Sequence, residues 1–399
     1  MRITTKLLGL SLIAALAGCS TLSSLNPFSK KPDPKTLPAP LVDIKSPIAV
    51  RTAWTYSVGQ SAFDINWKFW SHKDSPGVYQ FSPAQAGNAL FVAGGNGLSR
   101  LDPATGHVVW NVKPDVALTA GVGTDGKVVV VGGAKGQILV YDLDGKQLWK
   151  QQASSEVLAS PVVGQDVVVV LSVDNRIVGY DAKTGSKKWT VARTVPALTL
   201  RSPPGMVASG PNVYVAQPSG KLLALTLAAG LPRWEVAVGE PRGATELERV
   251  TDIAGTPAVF DKDICTATFQ GKVGCYDLVT GVARWTKDQS SDVGVAVDQR
   301  FVFVSDEKGA LVAYNRDGGQ NAWKNDKLWL RELSTPVSYG RMVAVGDLQG
   351  YIHFLSREDG AFIGRASTDG SPINSAPLVI GSNLIFQTQS GTVTALTVE

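Results

Sequence analysis

The chain is poor in the side chains that usually do chemistry. Three cysteines and three histidines occur in 399 residues, too few for a disulfide-built scaffold or a cysteine-rich metal site. No two cysteines are adjacent, and His72, His107 and His353 stand apart without a His-x-x-x-His spacing, so no sequence-local metal pair is present. Charge of one sign is missing as well. The 38 basic residues nearly balance 34 acidic ones, leaving +4, which is no electrostatic footprint for nucleic acid. What is abundant is glycine, with 41 residues, roughly 10% against a usual share of about 7%. That density of turn formers favours short strands over long helices.

The N-terminus reads as an address. Arg2 and Lys6 precede the uncharged run Leu7–Ala17, which is short of the ~20 residues that span a bilayer but suits a secretory signal. It ends in Leu16-Ala17-Gly18-Cys19, which resembles the bacterial lipobox. That resemblance implies removal of residues 1–18 and acylation of Cys19, and Ser20 after it implies sorting to the outer membrane. An ordinary signal peptide with an incidental cysteine is the alternative. Residues 19–46 are rich in Ser, Pro and Lys with no apolar period and are expected to be a flexible tether, at most about 90 Å long when extended.

Residues 47–399 repeat one unit. Gly106, Gly145, Gly185, Gly230, Gly281 and Gly319 are each followed four residues later by Trp110, Trp149, Trp189, Trp234, Trp285 and Trp323. Gly360 opens a seventh copy, where Gly364 takes the tryptophan position. Upstream of each lies a pair of apolar runs about a turn such as Lys135-Gly136, Gln270-Gly271 or Lys308-Gly309. Residues 376–399 form an eighth upstream half without a tryptophan, and Trp54 near the N-terminus is unclaimed. The expected fold is therefore all-β: an eight-bladed β-propeller of four-stranded antiparallel blades. The strand around Trp54 would complete the C-terminal blade and hide both sheet edges.

Tyr180–Trp189 and Tyr276–Trp285 resemble the tryptophan-docking repeat of pyrroloquinoline-quinone-type propellers. Enzymes of that group carry a vicinal Cys-Cys pair over the cofactor, a calcium site and an Asp base. This chain has no such cysteine pair, and the Gly-rich stretches 94–97 and 131–136 read as hairpin turns, with no helix after them to cradle a phosphate. No catalytic residue, cofactor or metal is expected. Cys265 and Cys275 flank the Gln270-Gly271 turn on paired strands. Either a cross-strand disulfide joins them or both are buried thiols, since Cys275 fills a slot held elsewhere by Gly179, Ala224 or Ala313; a Cα separation beyond about 7 Å would exclude the bond.

Partner contacts are expected on the loops between blades. The loop entering blade four, residues 194–205, offers Leu198 and Leu200 beside Arg193 and Arg201, the hydrophobic-plus-arginine composition of a binding hot spot. The long loop entering blade five places Glu240, Glu246, Glu248 and Asp252 among Arg242 and Arg249. The two loops should form one patch. A second long loop carries Trp67, Phe69 and Trp70, either buried or facing a partner.

Lipobox, tether and catalytically bare repeats together resemble the BamB family of lipoproteins in the outer-membrane β-barrel assembly machinery. Val195–Arg201 is close to a family segment implicated in binding the periplasmic POTRA domains of BamA. The resemblance implies partner-binding roles for Leu198, Leu200 and Arg201. It implies one for Asp252 as well, the surviving first residue of a family Asp-Val-Asp; Ala254 departs from that pattern. The implied protein is a non-enzymatic scaffold, a monomer within a multiprotein complex. It would be lipid-anchored at the periplasmic face of the outer membrane, with unfolded outer-membrane proteins as further partners at exposed blade edges. The runner-up is a periplasmic quinoprotein oxidoreductase. A binder of cell-wall sugar is a third reading.

Overall fold

Each repeated glycine sits at positive φ and lies flat against a tryptophan of the preceding repeat. The computed structural model describes residues 36–59, 79–95, 97–200 and 204–398. Gly185 has φ +71°, and a Cβ built on it would stand 2.7 Å from Trp149 Cδ2. Gly106 covers Trp54 in the same way, Gly145 covers Trp110, and the pattern continues to Gly360 over Trp323. The indole N–H then donates to a carbonyl of the same turn: Trp149 to Ala182 at 2.9 Å, Trp189 to Leu227 at 2.9 Å, Trp323 to Arg357 at 2.8 Å. Only a residue without a side chain allows that approach at a left-handed backbone position. The turn is held by its aspartate, as where Asp181 Oδ1 accepts the N–H groups of Lys183 and Thr184 and the Thr184 hydroxyl; these bonds keep the Asp181 carboxyl below its ordinary range.

These contacts join eight four-stranded sheets. Blade one consists of Ala84–Ala86, Ala89–Gly94, Gly97–Leu101 and Val108–Val112. Blades two to seven follow in chain order over 118–152, 162–192, 206–237, 258–288, 295–325 and 337–367. Blade eight takes Leu378–Ile380, Asn383–Gln387 and Thr392–Val398 from the C-terminus and Val50–Ser57 as its outer strand, antiparallel to Thr392–Val398. Trp54 lies in that outer strand and docks on blade one, its indole donating to Pro103 O at 3.1 Å. The hydrophobic core is a series of seams between neighbours. In one, Val130, Val140 and Trp149 of blade two meet Val168, Val170 and Tyr180 of blade three.

The tether, expected to run to residue 46, is bound to the propeller from Ala39 onward. Ala39 N–H donates to Trp329 O, Arg331 Nη1 to Ala39 O and Arg365 Nη2 to Val42 O, all at 2.8 Å, and Ile48 N–H donates to Ile363 O at 2.7 Å. Arg331 is 2% exposed and gives its Nε to Asp347 Oδ2 at 2.6 Å; buried His353 holds the same oxygen at 2.8 Å. Two arginines hundreds of residues downstream therefore capture the backbone carbonyls of this strap. Residues 60–78, with Trp67, Phe69 and Trp70, lie outside the described residues, as does Cys19.

Two outcomes follow from this packing. Gly185→Ala and Gly210→Ala both strain a left-handed position, but only Gly185 meets an indole; Gly210 has nothing within 4 Å. Gly185→Ala should lose about 1–3 kcal/mol more in denaturant unfolding, and equal losses would contradict the docking role. Burial, reinforced by Arg365 and Arg331 against the pull of Asp347, holds the His353 imidazole below its usual 6.5. The unfolded chain then binds a proton that the folded chain does not, so stability must fall as pH drops below about 6.5. Thermal unfolding at about pH 7.5 and about pH 5.5 should show a steeper loss for the unaltered chain than for His353→Gln.

Candidate functional site

Successive strands in each blade alternate in direction, so their connections sort onto two faces. Turns between first and second strands, and the Asp-x-x-Thr-Gly turns between third and fourth, emerge on one face. The second-to-third hairpins and the loops between blades emerge on the other. The loops 193–205 and 238–257 therefore share a face at neighbouring positions. Ala39 reaches that same face, because Trp329 belongs to the loop between blades six and seven and Gln349, which accepts from Arg331 Nη2, belongs to a second-to-third hairpin.

The two loops are stitched together. Leu200 N–H donates to Asp252 Oδ2 at 2.6 Å, Ser219 N–H donates to Asp252 Oδ1 at 2.9 Å, and Gly205 N–H donates to Gly255 O at 2.8 Å. Pro204 and Gly255 also form a parallel bridge. Burial pushes the Asp252 carboxyl up, and the two N–H donors oppose that shift.

The sequence-predicted residues separate by role in this geometry. Leu198 is 47% exposed, Val195 beside it is exposed, and Leu200 is half-buried. Asp252, expected as a contact for a partner, is only 7% exposed; its oxygens are turned inward, where they shape the loop that presents Leu198. Arg193 is drawn to Glu235 Oε2 of blade four at 3.4 Å. Arg201 lies outside the described residues. The charges of the longer loop are mostly satisfied locally. Glu240 faces Arg242 at 3.7 Å and Glu246 faces Arg249 at 3.6 Å. Glu248 Oε2 accepts the N–H groups of Ala244 and Thr245, which lowers its pKa.

Val173 and Leu247, both exposed, enlarge the apolar surface of this face and were not singled out from the sequence. An aliphatic residue at a hairpin tip or among charges was the available signal. Between Val173 and the stitched loops opens a cleft of about 420 Å³, with Leu158, Leu171 and Ile253 among its walls.

Cys265 and Cys275 occupy directly paired strand positions with Cα atoms 4.1 Å apart, and a disulfide joins them. The bond is buried within blade five and is not the vicinal pair a quinone site would use. Among the described residues no three His, Cys, Asp or Glu side chains converge as a metal site would require.

Comparison with known proteins decides the family. Residues 68–325 match the family model described as Outer membrane protein assembly factor BamB. The chain belongs to the BamB family. It is 40% identical to the Outer membrane protein assembly factor BamB of Burkholderia pseudomallei (strain K96243) over 92% of both chains. The crystal structure of BamB from Moraxella catarrhalis is similar at TM-score 0.76 and 26% identity, covering 88% of this chain and all of that one. Quinohemoprotein alcohol dehydrogenase from Comamonas testosteroni, at 14% identity and TM-score 0.66 over 87% of this chain, shares the fold alone.

Proposed function

We propose that the chain is a non-enzymatic scaffold of the outer-membrane β-barrel assembly machinery that grips the periplasmic POTRA domains of BamA through the loops entering blades four and five. Family membership supports the assembly role. The observation that carries the site is the Asp252 stitch, which makes two loops one rigid patch and leaves Leu198 and Val195 in solvent. A preordered apolar patch loses little conformational freedom on binding. The lipid anchor is Cys19, after removal of residues 1–18, and it places the ring at the periplasmic face of the outer membrane. Ala39 is bound on the patch-bearing face, 20 residues after Cys19 in the sequence, a span of about 70 Å at full extension.

Leu198→Ala removes exposed apolar surface and leaves the Asp252 stitch intact. It should fold with an unchanged melting temperature and bind an isolated POTRA fragment of BamA about 30-fold more weakly, the effect of losing a hot-spot contact of about 2 kcal/mol. Affinity within about twofold of the unaltered chain would move the interface elsewhere.

A further inference from the structure

The seam between blades seven and eight is filled by the strap where other seams use an indole. Blade seven has Gly364 at the tryptophan position, and a Cβ built there would stand 2.9 Å from Ile48 Cγ1. Two of the bonds that hold the strap come from arginines, Arg331 to Ala39 O and Arg365 to Val42 O. Both arginines converge on one imidazole. His353, on the third strand of blade seven, is fully buried. Its Nε2 lies 2.8 Å from Asp347 Oδ2, the oxygen that also takes Arg331 Nε, and its Nδ1 lies 3.4 Å from Arg365 Nε. A guanidinium nitrogen only donates. Nδ1 is therefore the bare nitrogen that accepts, and Nε2 carries the proton toward the carboxylate. The rings of Tyr351 and Phe362 stand 6.4 and 6.1 Å away, and Asp43 of the strap acts on Arg365. Among these groups Asp347 draws a proton onto the imidazole, while burial, Arg365 and Arg331 keep it off.

We propose that His353 is a pH-sensitive release for the strap. A proton on Nδ1 turns the acceptor of Arg365 into a second donor, the guanidinium swings away, and Val42 O loses its partner. Release frees residues 39–48, about 33 Å of chain at full extension, and leaves Val50–Ser57 paired as the outer strand of blade eight. The direction follows from linkage. With the strap docked, His353 sits below its usual 6.5; once Arg365 has turned to solvent, it returns toward that value. The released form then binds the proton more tightly, so acid favours release. The same linkage limits the shift to about tenfold between about pH 7.5 and about pH 5.5.

The test is amide hydrogen exchange of the full chain, with protection corrected for the intrinsic rate at each pH. The reporters are Ala39 and Ile48, whose N–H groups donate to Trp329 O and Ile363 O. Both should be at least about a hundredfold less protected than the blade-three strand Val167–Leu171, as local opening requires. Their protection should fall about tenfold from about pH 7.5 to about pH 5.5. His353→Gln is uncharged at both values and should change by less than about twofold. Arg365→Ala should already lose about tenfold at the higher pH, the effect of one hydrogen bond to a charged group, and respond to acid no further. The proposal is overturned by strap protection that does not vary with pH in the unaltered chain, that equals the protection of Val167–Leu171, or that falls as steeply in either variant. The first two outcomes need only the unaltered chain, so the test stands even where a variant fails to fold.

Discussion

The ring depends on one contact made again and again, an indole laid on a glycine of the next blade. Each blade alone is a small sheet with two apolar faces, and neither face is covered until a neighbour arrives. Docking the tryptophan does three things together: it buries the largest side chain of the repeat, satisfies its N–H, and sets the spacing between sheets. Glycine is required because the turn is left-handed and the approach leaves no space for a Cβ. Trp54 extends the series across the chain ends to blade one, whereas between blades seven and eight Gly364 takes the tryptophan position and meets Ile48. Stability therefore lives in the seams, and the loops on the two faces are free to carry function.

That division explains the character of the interblade-loop face. Its loops are tied down for reasons unrelated to the repeat: a buried aspartate accepts N–H groups from the loop entering blade four and from a blade-four hairpin, and the loop charges pair with one another. The strap at Ala39–Ile48 adds a second constraint. Arg331 and Arg365 take backbone carbonyls of the chain just before the closing strand, so the route of the tether is determined by blade seven. The strap thus holds Ala39 on the same face as the stitched loops.

Much of this was legible in the sequence because the repeat is written in two residue types. Gly followed four residues later by Trp marks six of the seven turn-and-strand pairs, and the unclaimed Trp54 points to the strand that completes blade eight. The exposure of Leu198 was legible too, since the sequence places an aliphatic residue in a proline-bounded loop. Other features depend on distant partners and carry no local signal. Asp252 looks like any loop acid until Ser219 and Leu200 are brought to it. Asn175 and Val173 become part of a cleft only when blade three stands beside the loops of blades four and five. The strap was read as tether because Arg331 and Arg365 are remote in sequence, and the state of Cys265 and Cys275 needed their strand register.

The central claim is that a closed ring acts by being held against BamA through its interblade-loop face. A structure of the full chain bound to the POTRA domains tests this most directly. The account predicts POTRA side chains against Leu198 and Val195, with the Asp252 bonds unchanged from the free chain. Density for the partner on the face of the Asp-x-x-Thr-Gly turns, with the loops 193–205 and 238–257 in solvent, would contradict it.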